Sequence, residues 1–484
     1  MCGFISIFGP AGSDVIQDVL TGLLAIQHRG QDAAGIVSFN EKFQAKKGLG
    51  LVREVFQEKH LSRLSGSMSV GHVRYPTVGQ NEVGDVQPFW IDFPLGVAMA
   101  HNGNVTNFHE LKKDYFAGRN VRLASNCDLE AVLYVFADRL MLRKGDAVTA
   151  EDVVAATHET FERVKGAYSV VGIIAGVGMY AFRDPFGIKP CIFGRKQTDA
   201  GYQYAVASES VVLDVAGYEI VRDLKAGELL WIGMDRKPQF FQVGNKPHRP
   251  CIFEYIYFAR PDSFLDGASV YAARLELGTK LGEQWKQTGI EVDVVIPVPE
   301  SARTAAQTMA EVLGVPYREG FVKNRYVGRT FIMPNDKARQ STIRHKLNPI
   351  RVEFEGKRVL ILDDSIVRGN TSRQIVKIAR QMGAAKVYLA SYSPPLVNPC
   401  LYGIDMSTKR EFVARGRTMA EIATELGADH VIYQTIEDMV AAVQKVGPNR
   451  QFCKACFDGN YPTGDITERM LSDIETDRLE ATKS

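Results

Sequence analysis

Cys2 directly follows the first methionine, a position that permits chemistry no interior cysteine can do. With Met1 removed, one residue carries both a thiol and a free α-amine. The amine titrates near ~7.7–8.0, so it can take up a proton at cellular pH. The thiolate is the most nucleophilic ordinary side chain. One residue would then supply nucleophile and base for acyl transfer. Taken alone, Cys2 reads more simply as a core cysteine on a strand, but three further segments favour the chemistry. Arg74, in His72-Val73-Arg74-Tyr75-Pro76-Thr77, could clamp a carboxylate with both arms of its guanidinium. Asp128, in Asn126-Cys127-Asp128-Leu129-Glu130, could hold an ammonium. His101-Asn102-Gly103-Asn104 is expected to be a tight polar turn aiming the Asn102 amide and the Gly103 N–H at one oxyanion. Together they outline an amino acid whose side-chain carbonyl is attacked.

A second constellation begins with the apolar run Val359-Leu360-Ile361-Leu362, which ends in Asp363 and Asp364. Ser365, Val367, Arg368, Gly369, Asn370, Thr371 and Ser372 follow as a Gly- and hydroxyl-rich turn opening a helix. Exposed N–H groups and the helix dipole at such a turn bind phosphate. Two acids at the carboxyl end of a parallel strand sit where open α/β sheets take ligands, and can hold ribose hydroxyls directly or through Mg²⁺. Cys251, Cys400, Cys453 and Cys456 form a third set, the last two as a CxxC. Four thiolates can bind a [4Fe–4S] cluster or, as the fallback, Zn²⁺. Scattered core thiols are the plainer alternative.

The elements that must position these groups differ between the two halves. Up to about residue 235, short strands such as residues 4–8, 169–175 and 179–183 alternate with Gly-rich turns, and residues 15–28 carry apolar side chains at helical spacing. This is the pattern of an α+β domain on antiparallel sheets. A polar, proline-bearing stretch over 236–250 reads as a linker. Beyond about 270 the rhythm becomes strand, turn, helix, as in an α/β domain with parallel strands. The expected division is 1–235, a junction over 236–260, a second domain over 261–450 and a C-terminal segment, 451–484, bearing the CxxC. Residues 323–349 are rich in Lys, Arg and Asn without periodicity, which suggests a functional lid or a disordered stretch.

Composition excludes several classes. Among 484 residues, 58 Lys and Arg balance 56 Asp and Glu, so neither nucleic acid nor an anionic membrane surface is expected as a partner. No apolar run reaches the ~18 residues of a membrane span. The first residues lack the basic flank and cleavage site of a signal peptide. A cytoplasmic protein is expected. Seven cysteines, an odd set in a large chain, suit thiols, metal ligands or nucleophiles better than a disulfide framework.

Met1-Cys2-Gly3, Gln27-His28-Arg29-Gly30-Gln31-Asp32-Ala33-Ala34-Gly35, residues 71–77 and His101-Asn102-Gly103-Asn104 resemble the N-terminal-nucleophile glutamine amidotransferases. The resemblance implies a four-layer αββα domain, with Cys2 as nucleophile and Arg74 and Asp128 as the glutamine clamp. Asn102 and Gly103 would form the oxyanion hole, and Arg29 would close near the nucleophile. Cys127 stands where relatives often carry Ser or Thr.

Residues 359–372 resemble the signature of type I phosphoribosyltransferases, which bind 5-phosphoribosyl 1-pyrophosphate (PRPP). Ser301, in a turn like their pyrophosphate-side turn, would lie near a Mg²⁺ held by Asp363 and Asp364. Lys323, Arg325 and Arg329 would sit on the lid and neutralise departing pyrophosphate. Asn370 replaces a common Thr. Both resemblances together imply transfer of glutamine's amide nitrogen to PRPP, which gives 5-phosphoribosylamine and feeds purine synthesis. Ammonia would be passed between the sites, and Tyr255, Ile256, Tyr257 and Phe258 are candidate passage walls. The cluster-bearing branch of such enzymes has a cysteine arrangement like this one, which favours [4Fe–4S] at Cys251, Cys400, Cys453 and Cys456. Purine nucleotides as feedback inhibitors and a homo-oligomer, dimer or tetramer, are also implied. The alternative is an inert PRPP-binding regulator. Asparagine or glucosamine-phosphate synthases would need an ATP-pyrophosphatase Ser-Gly-Gly loop or sugar-isomerase modules, and neither is found.

Overall fold

Side chains alternate along the first strand, Gly3–Phe8, and sort its residues between two cores: Phe4 and Phe8 enter one, Ile5 and Ile7 the other. The computed structural model describes all residues except 1, 76–81, 94, 118–120, 325–346, 405, 407, 469 and 472–484. Gly3–Phe8 is the centre of a seven-stranded antiparallel sheet, between Met68–Arg74 and Gly201–Ala207. A second antiparallel sheet of six strands lies against it and contains Val97–Val105 and Gly166–Ile174 as neighbours. Phe4, Phe8 and Val70 of the first sheet meet Ala98, Ala100, Val171 and Ile173 of the second in a buried middle layer. The outer face of the first sheet is covered by the helices Ile16–Ala25 and Ser210–Val215, and that of the second by Asp128–Met141 and Ala150–Arg163. This is the expected four-layer αββα arrangement.

The second sheet extends further than the sequence suggests. Pro238–Gln242, in the stretch expected to be a linker, pairs with Glu228–Gly233 as an edge strand. Its proline opens an edge strand, where the missing N–H costs little. Phe240 packs its ring under the Arg222 guanidinium, 3.8 Å from the centroid.

The later part of the chain builds a four-stranded parallel sheet in the order Val294–Pro297, Arg358–Asp363, Lys386–Ser391, His430–Tyr433. Strand Arg358–Asp363 is buried on both faces: Val359 and Ile361 meet the helices Asn370–Gln381 and Met419–Leu426, while Leu360 and Leu362 meet Val270–Lys286, Arg303–Leu313 and Ile436–Val446. Burial on both faces explains the continuous apolar run. The core that takes Ile5 and Ile7 continues without a break to Tyr255, Leu277 and Leu360, so the two parts share buried surface.

Candidate functional site

The first site forms where two strands of the first sheet end together. Gly3 lies opposite Val73, which brings Cys2 beside Arg74 and Tyr75. Cys2 is buried, and its Sγ donates to the Tyr75 carbonyl at 3.7 Å. Arg74, also buried, has Nη2 at 3.7 Å from Asp85 Oδ2. Asp128 begins the helix Asp128–Met141, where the helix dipole favours an anion. Its Oδ2 accepts from the Val105 N–H at 2.8 Å and lies 3.4 Å from His101 Nε2. Burial works to raise the Asp128 pKa, but His101 and the Val105 N–H outweigh it and hold the carboxyl below its ordinary value. A buried carboxylate kept anionic in this way is suited to an ammonium.

His101-Asn102-Gly103-Asn104 is not a turn. It lies within the strand Val97–Val105, with Asn102 opposite Ser169 and Gly103 opposite Tyr168. The polar residues and glycine, which favour a turn locally, are overridden by pairing with Gly166–Ile174. Gly103 is required by close approach, since a Cβ there would lie 2.0 Å from the Ala167 carbonyl oxygen. Asn102 is fully buried, and among the described residues neither polar atom of its amide has a hydrogen-bond partner. An unsatisfied buried amide costs about 1–3 kcal/mol, so this group is set to meet a ligand.

Arg29 lies beside Gly3, its Cβ 3.3 Å from where a Cβ on Gly3 would stand. Its buried guanidinium is paired with Glu209 and with Glu254, which joins the first part of the chain to the second. His28 adds a contact to Glu209 at 2.8 Å. Burial tends to raise the Glu209 pKa, but Arg29 and His28 hold it far below the usual carboxylate range. Such a depressed pKa stabilises the fold above the ordinary value of 4.5, and this contribution is lost as pH falls below that value. Thermal unfolding of the wild type should therefore drop more steeply on acidification than that of Glu209→Gln. Parallel pH profiles would contradict this assignment.

Sequence reasoning missed Asp85 behind Arg74 and gave no role to His101, Gln87 or His72. Gln87 Nε2 lies 2.9 Å from His101 Nδ1, and His72 Nε2 lies 3.1 Å from the His101 carbonyl oxygen. No spacing could reveal them, because they come from separate strands and a loop. Cys127 is a buried thiol whose pKa is pushed up by burial and by Asp128; it packs 3.6 Å from Gln87 Nε2.

The second site is a cavity of about 610 Å³ lined by Asp363, Asp364, Ser365 and residues 367–372, together with Ser301. All the residues expected for the phosphate cradle are thus brought together. Gly369 adopts φ +74° just before the helix Asn370–Gln381, and a Cβ there would lie 2.6 Å from Leu426 Cδ2. Asp364 accepts from Ser301 Oγ, and from Ser365 Oγ at 2.6 Å. Burial, and then the neighbouring Asp364, push the Asp363 pKa well up; Asp364 is also raised by burial. Two adjacent buried acids in this condition are a donor set that a divalent cation would relieve. Lys323 ends the strand Phe321–Lys323, which pairs with Leu347–Pro349, while Arg325 and Arg329 lie outside the described residues.

The four candidate passage residues divide. Tyr257 and Phe258 line this cavity, whereas Tyr255 and Ile256 are core, with the Tyr255 hydroxyl donating to the Leu265 carbonyl at 2.9 Å. A Cβ on Gly403 would lie 2.7 Å from the Gly103 carbonyl oxygen, and the next residue, Ile404, lines the second cavity. Residues 403 and 404 thus touch, in succession, the strand that carries Asn102 and the second cavity.

Cys251, Cys400, Cys453 and Cys456 are all buried and free of disulfides. The Ile252 N–H donates to the Cys453 carbonyl at 3.1 Å, and the Val397 and Asn398 N–H groups both reach the Cys456 carbonyl at 3.1 Å. Burial, and then the other thiols of the set, push Cys456 well up. Among the described residues no group of three or more His, Cys, Asp or Glu side chains is set to hold a single metal ion. The four thiols lie within electrostatic reach of one another.

An αββα glutaminase with its nucleophile beside the chain start, joined to a phosphoribosyltransferase sheet, defines a glutamine-dependent transferase. A family model described as a glutamine amidotransferase domain matches residues 72–214. Amidophosphoribosyltransferases from Pseudomonas aeruginosa and Escherichia coli are 46% and 45% identical, each aligned over 100% of this chain and 97% of their own length. That of Saccharomyces cerevisiae is 44% identical over 99% of this chain and 95% of its own. The solved glutamine PRPP amidotransferase from B. subtilis, complexed with ADP and GMP, superposes with a TM-score of 0.85 at 37% identity, covering 96% of this chain and 98% of that one. The chain belongs to the amidophosphoribosyltransferase family. Its activity is the transfer of glutamine's amide nitrogen to PRPP in purine biosynthesis.

Proposed function

We propose that Cys2 attacks the glutamine amide carbon while its own α-amine takes the thiol proton and returns it to the departing ammonia. Arg74 holds the glutamine α-carboxylate and Asp128 the α-ammonium. The Asn102 amide and the Gly103 N–H receive the oxyanion, a reading carried by the buried, unpartnered amide of Asn102. Arg29 closes near the nucleophile, beside Gly3, and is anchored there by Glu209 and Glu254.

In the second site, residues 365 and 367–372 cradle the PRPP phosphate, and Asp363 and Asp364 hold the ribose hydroxyls. Ser301, Asp363 and Asp364 would hold Mg²⁺, which when bound neutralises the pyrophosphate. Lys323, Arg325 and Arg329 supply lid charge to the same leaving group. Ammonia crosses beside residues 401–404 to attack C1 of PRPP, and Tyr257, Phe258 and Ile404 exclude the water that would protonate it. Purine nucleotides, whose phosphates suit the same cradle, act as feedback inhibitors; the B. subtilis relative was solved with ADP and GMP. We further propose a cytoplasmic homo-oligomer, a reading that rests on family likeness. No described helix is long and apolar enough to cross a membrane.

The four cysteines hold a [4Fe–4S] cluster that ties the C-terminal segment to the domain body. Anaerobically purified protein should contain about four irons and four sulfides per chain. Cys453→Ser should lose both, and zinc without sulfide would overturn the cluster.

A further inference from the structure

We propose that Gly403 and Asn104 are positioning residues for glutamine hydrolysis: the cysteine-bearing loop of the second domain holds the oxyanion-hole strand of the first in place. The inference rests on the reading of Asn102 and Gly103 as the oxyanion hole. The Asn104 side-chain amide, buried at the end of that constellation, donates through Nδ2 to the Leu401 carbonyl at 2.9 Å. Gly403 has φ +91°, and a Cβ there would lie 2.7 Å from the Gly103 carbonyl oxygen and 2.9 Å from its carbon. On its other side Gly103 is pressed against Ala167 and Tyr168. The peptide following the oxyanion donor is therefore held between two backbones, one from each domain. The loop itself is held back at Cys400, whose Sγ accepts from the Tyr402 N–H at 3.3 Å, and at Tyr402, whose hydroxyl meets Thr463 Oγ1 at 2.7 Å.

Oxyanion stabilisation depends on donors fixed before the charge develops, so a small displacement of Gly103 weakens the tetrahedral state more than the ground state. The test uses 2-amino-4-cyanobutanoate, the nitrile of glutamine. Cys2 adds to it reversibly: a C–S bond forms, one C≡N π bond breaks, and the thiol proton ends on the nitrile nitrogen, which occupies the oxyanion hole. In Asn104→Ala and Gly403→Ala the nitrile should bind about tenfold or more weakly. Glutamate affinity and the rate of Cys2 alkylation by iodoacetamide should stay within about twofold, and glutamine turnover should fall in kcat rather than rise in KM. Unchanged nitrile affinity in both variants, or equal weakening of nitrile and glutamate, would overturn the proposal. Asn104→Ala carries the test if Gly403→Ala does not fold. Asn102→Ala separates the two levels: full nitrile affinity there refutes the oxyanion assignment, whereas loss there alone refutes only the positioning role.

Discussion

Replacing Cys2 by alanine is expected to lower glutamine-dependent synthesis by about 10⁴-fold or more, because it removes the nucleophile itself. Synthesis from added ammonia should stay within about threefold of the wild type, since the second site shares no reacting group with the first. The sulfur lies at the end of Gly3–Phe8 against Tyr75, remote in sequence and in chemistry from Asp363 and Asp364. Side-by-side assays with glutamine and with ammonium at alkaline pH give the answer. Comparable loss from both nitrogen sources would mean that Cys2 serves the whole fold or the sugar-phosphate site rather than amide cleavage alone.

The second large effect belongs to the adjacent acids. Asp363→Asn or Asp364→Asn should reduce product from either nitrogen source by about 10²–10³-fold, the range seen when a preorganised electrostatic partner is lost from an active site. The asparagine variants keep volume and allow hydrogen bonding to Ser301 and Ser365, so thermal stability should hold or rise. Burial raises both pKa values, and at Asp363 the neighbouring Asp364 adds to it, so neutralising either acid removes a buried charge. PRPP affinity, measured directly by calorimetry with Mg²⁺ present, should weaken in step with turnover. Normal synthesis by either variant would remove these residues from the PRPP site.

The second site was the more legible in sequence because its residues are contiguous. A parallel strand buried on both faces must be a continuous apolar run, and the turn that follows must carry the ligand groups, so residues 359–372 state their own geometry. The first site is assembled from two sheets, and its parts could be read only one at a time. Cys2, Arg74, Asn102 and Asp128 each had a stated role, but the pairing of Arg74 with Asp85 and of Asp128 with His101 depends on strand order, which no local spacing encodes. His101-Asn102-Gly103-Asn104 shows the limit most clearly. Its local composition favours a turn, while the register with Gly166–Ile174 makes it a strand. Pro238–Gln242 looked like a linker for the same reason, since edge strands tolerate the residues that mark loops. Arg29 lies beside Gly3, but its pairing with Glu209 and Glu254, some two hundred residues away, was not legible in the sequence.

Gly403 abuts Gly103 and Ile404 lines the second cavity, and the central claim is that nitrogen passes from one site to the other without entering bulk water. The most direct measurement supplies amide-¹⁵N glutamine and PRPP in a large excess of unlabelled ammonium and follows the isotope into 5-phosphoribosylamine at early times. Retention of nearly all the ¹⁵N in the product is the predicted result. A product whose isotope ratio matches that of the surrounding ammonium would contradict it.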